Sequence, residues 1–261
     1  MSSPTLAQKL TAEAIGTAIL VFIGAGSVPL TVFLTAGAGG TGIDGTAGLS
    51  TISFSFAFAI FAAVYSIGHI SGCHINPAVT ISLLATRRID ARTAGSYIAA
   101  QLVGAFLGAG LTLIILQGND PAALGLGAVS VNANAGLAIG FAAEVIGTAI
   151  LVFTVFGAAV SGKAPAGFAG LIIGFIVYGI IILVGPITGA SLNPARELGP
   201  AILGQAIGAT PVPVDQLLVV YVFGSTIGGV VGAFLYEFIG REAPAAVTAS
   251  APVRDRATAD A

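Results

Sequence analysis

The triplet Asn-Pro-Ala occurs twice in the chain, and each copy opens a short apolar segment. Asn before Pro is a strong helix start, because Asn caps free backbone N–H groups and Pro gives up an N–H that would lack a partner. At about 1.5 Å per residue, each segment reaches only about half way across a hydrocarbon core of about 30 Å. The sequence therefore predicts two half-helices whose positive N-terminal ends face each other and line a pore. The triplets are Asn76-Pro77-Ala78 and Asn193-Pro194-Ala195, and the predicted half-helices are Asn76–Thr86 and Asn193–Leu203.

The composition places the rest of the chain in a membrane. Only 8% of the 261 residues are charged and 56% are hydrophobic, whereas a soluble domain carries about 25% charged residues. The single cysteine, Cys73, excludes an internal disulfide, and no long basic run indicates a nucleic-acid partner. Six segments have the length of a membrane span, about 20 residues: Ala12–Leu34, Leu49–His69, Ala94–Leu116, Gly136–Val160, Gly167–Pro186 and Leu217–Ile239.

The chain repeats itself. The segment from Ala12 to Phe22 recurs from Ala143 to Phe153 with one difference, and Val103–Leu107 recurs as Val231–Leu235. Each repeat contains three spans and one half-helix, and because three is odd the second copy must enter the membrane from the opposite side. We predict one all-α integral membrane channel domain over residues 1–241, with repeats at about 12–116 and 143–239, and a disordered cytoplasmic tail at 242–261.

The positions of the basic residues support this inverted topology. With the N-terminus in the cytoplasm, eight of the nine lysines and arginines fall on the cytoplasmic side, as the positive-inside rule expects. The exception is Arg196, three residues after Asn193 in a membrane-embedded segment. Such a charge is expected to have a function.

The motifs together are similar to those of the aquaporin and glycerol-facilitator superfamily, the major intrinsic proteins. The resemblance covers about 12–239 and rests on Ala-Glu-x-Ile-Gly-Thr in both halves, on the run from Gly68 to Thr80, and on the run from Thr188 to Arg196. It implies an aquaporin-like fold of six tilted helices and two re-entrant half-helices, with one pore per subunit, commonly in a homotetramer. It also implies a passive channel in the cell membrane, with water and small neutral solutes as its partners and no cofactor.

The segments before the two triplets are predicted to line the pore, because non-helical backbone at membrane depth is tolerated only where it is buried or faces a water-filled path. Their carbonyl oxygens would accept hydrogen bonds from passing water, and the amides of Asn76 and Asn193 would donate at the midplane. Water turned in this way cannot form a continuous proton wire, as in aquaporin-type pores generally. The residues of these loops are Gly72, Cys73, His74, Ile75, Gly189, Ser191 and Leu192.

The resemblance also implies an outer constriction formed by Phe56, Ile181, Ala190 and Arg196. Strict water channels of the family usually carry His where this chain has Ile181, and glycerol facilitators usually carry Trp where it has Phe56. The four residues therefore match neither the usual water-channel set nor the usual glycerol-facilitator set. We expect an opening wider and more apolar than a strict water filter. Plant vacuolar members with Ile and Ala at these positions pass ammonia or urea, so small neutral solutes are expected besides water.

Glu13 and Glu144 are acids inside predicted spans, where a charge is costly and has a function by default. One interpretation is a proton relay, and the favoured one is that each accepts hydrogen bonds from the adjacent re-entrant loop. His69 and His74 lack a third ligand, so no metal site is predicted, and their roles are loop hydrogen bonding or a pH-sensitive gate. Cys73 corresponds to Ala190 in the repeat and is expected in the inner pore lining.

Three alternatives to a water channel follow from the sequence. A glycerol-type facilitator shares the fold. An ion-coupled transporter also uses inverted repeats and broken helices, but it needs a midplane carboxylate at the pore, and the triplet regions carry none. A membrane enzyme needs a nucleophile–base pair or a metal cluster, and neither is evident, so no enzymatic activity is predicted.

Overall fold

The computed structural model of the protein describes residues 3–37, 45–116 and 125–240. Six helices in these ranges are long and apolar enough to cross a membrane: α1 (Leu6–Thr35), α2 (Gly45–Ser71), α4 (Ala91–Ile115), α5 (Gly136–Val160), α6 (Ala169–Thr188) and α8 (Gln216–Ile239). The predicted all-α membrane architecture is confirmed. The tail predicted at 242–261 lies outside the described residues.

Two short helices, α3 (Pro77–Ala85) and α7 (Pro194–Ala206), follow the two triplets. Asn76 and Asn193 are their N-caps, and a Pro stands at the first helical position of each. Helix α7 ends three residues later than predicted. Gly208 has a φ of +93°, and the Ala209 N–H bonds the Gly204 carbonyl, which is the glycine-terminated helix end that the predicted boundary missed.

Helix α1 begins at Leu6, six residues before the predicted start. Thr5 and Gln8 form a capping box, in which the Thr5 hydroxyl accepts from the Gln8 N–H and the Gln8 side chain accepts from the Thr5 N–H. This reciprocal pair satisfies two free donors at a helix start. The first turns are therefore helical although they include the polar residues Gln8, Lys9 and Thr11.

The two repeats pack in the same way. Helix α1 lies against α4, and α5 lies against α8. A methyl group placed on Gly104 would lie 2.2 Å from the Ala14 carbonyl oxygen, and one on Gly228 would lie 2.2 Å from the Val145 carbonyl oxygen. These glycines let the helix backbones touch, which is the main packing device of membrane helices.

The packing corrects the register that the sequence match predicted for the third span of each repeat. The match of Val103–Leu107 with Val231–Leu235 pairs Gly104 with Gly232, but in the structure the partner of Gly104 by contact is Gly228, one helical turn earlier. The Tyr97 and Tyr221 hydroxyls, which donate to equivalent loop carbonyls, show the same offset. Because glycines recur along both helices, a short sequence match can align them one turn out of step. The contacts with the first span give the correct correspondence.

The half-helices cross between the repeats. Helix α3 packs mainly on α8, the third span of the second repeat, and α7 packs mainly on α4, the third span of the first. Gly199 of α7 lies on the Ala105 backbone, and Gly229 of α8 lies against the Ser82 hydroxyl of α3. Each repeat therefore holds the other repeat's half-helix in place.

Outside the spans, Asp90 caps the start of α4. Its carboxylate accepts hydrogen bonds from the Thr93 hydroxyl and N–H, and these bonds hold the pKa of Asp90 below its ordinary value. Nearby, the Arg88 guanidinium pairs with the Glu237 carboxylate of α8. The turn between α3 and α4 is thus tied to the end of α8.

Replacing Gly228 with Val tests the helix contact that sets the register. The new side chain would overlap the Val145 carbonyl, and overpacking of this kind costs about 1–3 kcal/mol or more. We expect a clearly lower midpoint of thermal unfolding for the purified protein in detergent. Gly110→Val is the matched control, because nothing lies within 4 Å of a methyl group at Gly110. Equal midpoints for the two variants would contradict the contact.

Candidate functional site

The first loop, residues 72–75, is held by the carboxylate of Glu13. Glu13 lies on α1 and is fully buried. Its Oε1 accepts hydrogen bonds from the Ser71 hydroxyl (2.7 Å) and the His74 N–H (2.9 Å). Its Oε2 accepts from the Ile75 N–H (2.7 Å) and the Gln101 amide (2.8 Å). Four donors thus converge on one carboxylate, and two of them are backbone groups of the loop.

The second loop, residues 189–192, is held in the same way by Glu144 on α5. Oε1 of Glu144 accepts from the Thr188 hydroxyl (2.7 Å) and the Ser191 N–H (2.9 Å). Oε2 accepts from the Leu192 N–H (2.7 Å) and the Ser225 hydroxyl (3.1 Å). The sequence motif containing both acids therefore marks two equivalent anchoring points.

Two backbone N–H groups of each loop donate to the acid that holds it. Alternate residues adopt positive φ, between 44° and 55°, which is costly for side chains larger than glycine. They are Cys73, Ile75, Ala190 and Leu192. Among the described residues no donor bonds the carbonyl oxygens of Gly72, Cys73, His74, Gly189, Ala190 or Ser191. These acceptors are available to a molecule beside the loops.

The two Asn side chains link the loops. The Asn76 amide donates to the Leu192 carbonyl (2.8 Å), and the Asn193 amide donates to the Ile75 carbonyl (2.9 Å). Each Asn oxygen accepts from its own half-helix, at the N–H of the second residue after it. An amide nitrogen carries two hydrogens, so one N–H of each Asn has no acceptor among the described residues.

A cavity of about 370 Å³ runs along these groups. Asn76, Asn193, Cys73 and the other residues of the first loop line it, as do Ala190, Ser191 and Leu192 of the second. Gly189 was predicted to line the pore and does not border this cavity. A methyl group there would lie 2.4 Å from Val129, so Gly189 packs against the irregular segment that precedes α5. The Pro and Ala of both triplets also do not border the cavity; they are buried in the first turns of α3 and α7.

All four residues of the predicted constriction line this cavity, and they come from three helices and one loop. The Arg196 guanidinium carbon lies 5.1 Å from the centre of the Phe56 ring. Arg196 is 1% exposed, and its Nε and Nη2 have no protein partner among the described residues. Ile181 and Ala190 supply apolar surface. The structure thus places unpaired guanidinium donors beside an aromatic ring, an isoleucine and an alanine.

The groups that fix the position of the Arg196 side chain were not predicted from the sequence. Arg196 Nη1 donates to the Gly127 carbonyl (2.7 Å) and to the Glu197 carboxylate (3.2 Å). Glu197 is fully buried and also accepts from the Val129 N–H (3.0 Å). An acid next to the one arginine of an embedded segment was the available signal for Glu197. Gly127 and Val129 act through backbone groups of an irregular segment, which leave no signal in the side-chain pattern.

The histidines occupy different environments. His74 lines the cavity; its Nδ1 lies 3.2 Å from the Thr80 hydroxyl, and its ring packs edge-on against Tyr97. His69 is exposed near the end of α2 and does not border the cavity. Of the two histidines, His74 is therefore the one that borders the cavity.

Replacing Glu144 with Gln tests the anchoring of the second loop. The new NH₂ group would face either the Thr188 and Ser191 donors or the Leu192 and Ser225 donors, and an unsatisfied buried donor costs about 1–3 kcal/mol. We expect a lower thermal midpoint in detergent than for Glu237→Gln, which removes the same charge from a partly exposed side chain. Equal midpoints would show that the carboxylate does not hold the loop.

Comparison with known proteins places these features in a family. The family model described as "Major intrinsic protein" matches residues 1–236. The chain is 43% identical to the probable aquaporin AqpM of Archaeoglobus fulgidus over 91% of this chain and 99% of the relative. It is 38% identical to aquaporin Z of Rhodopseudomonas palustris, over 90% and 94% of the two chains. The crystal structure of the aquaglyceroporin from Plasmodium falciparum superimposes with a TM-score of 0.76 at 26% identity, covering 89% of this chain and 96% of that chain. The chain belongs to the major intrinsic protein family.

Proposed function

We propose that the protein is a passive water channel that also passes small uncharged solutes. The observation that carries this proposal is the free N–H on each of two Asn amides that face one cavity between the loops. The relatives named above are called aquaporins, and the superimposable structure is called an aquaglyceroporin. A channel of this kind needs neither cofactor nor covalent chemistry.

Five loop residues with unpaired carbonyls border the cavity together with the two Asn residues, and they offer polar groups to a molecule inside it: Gly72, Cys73, His74, Ala190 and Ser191. Apolar side chains also border the cavity, with Ile60, Leu151 and Val177 among them. Water moving along the carbonyls would donate to them and, at the centre, accept from Asn76 and Asn193. Because both half-helices start at this point, their positive ends raise the energy of a cation there. Water passes while protons and other ions are excluded.

The constriction sets which solutes enter. Arg196 offers Nε and Nη2 as donors. A solute with an acceptor oxygen or nitrogen can bond these donors in place of the water molecules that it sheds on entering the constriction. Phe56, Ile181 and Ala190 add surface that does not compete for hydrogen bonds. We propose that this combination admits neutral solutes of the size of urea or glycerol more readily than a strict water filter does.

The lining of the cavity favours a channel over ion-coupled transport. None of the described residues that border it is an Asp or Glu, whereas a coupling-ion site at the midplane would use such a group. Glu13 and Glu144 instead accept hydrogen bonds from groups of the loops and of the adjacent helices. We assign them an anchoring role in place of a proton relay.

The remaining expectations from the sequence belong to the same proposal. The protein forms a single channel domain over residues 1–241 with a cytoplasmic tail, spans the cell membrane several times with both termini inside, and assembles as a homotetramer. The concentration of Lys and Arg on one side of the spans supports this orientation.

Stopped-flow light scattering on proteoliposomes after a hyperosmotic glycerol jump tests the function. We expect shrinkage faster than in empty vesicles, because water leaves through the channel. Slow reswelling would mean that glycerol is excluded, and fast reswelling would mean that the constriction admits polyols. Shrinkage no faster than in empty vesicles, with reconstituted and correctly folded protein, would contradict a water channel.

Cys73 provides a second test of the pore path. Its side chain lines the cavity beside the first loop, so a mercurial bound to its sulfur would obstruct passing water. We expect mercuric chloride to slow the shrinkage phase of wild-type proteoliposomes and to leave Cys73→Ser unaffected. Unchanged flux in the wild type, or equal inhibition of Cys73→Ser, would place the pore elsewhere.

A further inference from the structure

Gly24 lies directly behind the Phe56 ring of the constriction. It belongs to a π-helical stretch of α1, Leu20–Ala25, and such stretches often occur at functional sites. A methyl group on Gly24 would lie 2.5 Å from Cδ1, 2.7 Å from Cε1 and 2.9 Å from Cγ of Phe56. Non-bonded carbon atoms rest about 3.5–4.0 Å apart. The ring therefore rests on the backbone of α1, in space that exists only because residue 24 has no side chain.

The Phe56 ring also borders the solute path. Phe56 borders the cavity and its ring centre lies 5.1 Å from the Arg196 guanidinium carbon. The backbone of α1 is in direct contact with α4 at Gly104 and Gly108, and this contact limits how far α1 can shift. A larger residue at position 24 would therefore move the ring toward the cavity, by about 1 Å to restore ordinary contact.

The second repeat shows the alternative arrangement at the other end of the pore. The correspondence that pairs Glu13 with Glu144 pairs Gly24 with Val155, and the one that pairs Asn76 with Asn193 pairs Phe56 with Ile173. Val155 and Ile173 both border the cavity. At the outer end, the pair therefore consists of a glycine, Gly24, and an aromatic ring, Phe56. At the inner end, the equivalent pair consists of two branched aliphatic side chains, Val155 and Ile173. The volume removed at one position of the pair is occupied from the other.

We propose that Gly24 is a specificity-determining residue that sets the aperture of the constriction by fixing how far Phe56 stands back from Arg196. The inference rests on the proposed channel function and deepens it, because it assigns the width of the filter to a residue that does not touch the solute. A side chain at position 24 narrows the opening, and it does so only when Phe56 is present.

The test compares unit water permeability in proteoliposomes for Gly24→Ala alone and in the Phe56→Ala background. We expect Gly24→Ala to reduce permeability roughly tenfold, the factor that an added barrier of about 1.4 kcal/mol produces, and to reduce urea permeability further. In the Phe56→Ala background the same substitution should have no effect. Gly179→Ala is the control, because a methyl group there meets nothing within 4 Å, and it should match the wild type.

A paired variant separates aperture from folding. Gly24→Val with Phe56→Ile rebuilds at the outer end the pair that the inner end already accommodates, and we expect it to conduct water better than Gly24→Ala. An equal loss from Gly24→Ala with and without Phe56, or no loss at all, would overturn the inference while leaving the channel function intact. Wild-type vesicles that shrink no faster than empty ones would instead overturn the channel function on which it rests.

Discussion

The structure depends on hydrogen bonds that two buried carboxylates accept from backbone N–H groups outside any helix. Backbone groups at membrane depth have no water to bond, and each one left unpaired costs several kcal/mol. Glu13 and Glu144 accept from two loop N–H groups each. We propose that the unpaired carbonyls of the loop residues that border the cavity are the groups to which a solute bonds. The loops that bond the anchoring acids thus also offer these carbonyls.

The inverted repeat joins the two loops around one cavity. Each half-helix packs on the third span of the opposite repeat, and each Asn amide bonds the last loop carbonyl of the opposite repeat. Neither repeat can therefore complete the pore alone. Arg196 distinguishes one end of the cavity: its Nη1 donates to the Gly127 carbonyl and the Glu197 carboxylate, and its Nε and Nη2 have no partner among the described residues.

Sequence reasoning reached the parts of this arrangement that depend on side-chain identity and repetition. Asn76 and Asn193 were recognisable because a capping pair opened two segments too short to span, and Glu13 and Glu144 because an acid in an apolar span needs partners. The structure brings these residues together, and their roles in transport stay predictions. Arg196 was recognisable as the one basic residue in a membrane-embedded segment. The other three constriction residues came only from the family resemblance, since positions on α2, α6 and a loop have no sequence proximity.

The rest depended on three-dimensional packing. The sequence match aligned α4 with α8 one helical turn away from the correspondence that their contacts with the first spans show, because a glycine-rich match does not identify the contact face. The backbone contacts of Gly127 and Val129 leave no trace in a side-chain pattern. The start of α1 was hidden because Thr5 and Gln8 stabilise a polar first turn that hydropathy does not score. Gly24 could not be recognised among 37 glycines without the position of the Phe56 ring.

We propose that the two loops and the two Asn amides conduct water while breaking the proton path. Both permeabilities can be measured in the same proteoliposomes, using stopped-flow shrinkage for water and an entrapped pH-sensitive dye for protons. We expect fast shrinkage together with a pH gradient that decays no faster than in empty vesicles. A proton leak that rises in step with water permeability as more protein is reconstituted would contradict it.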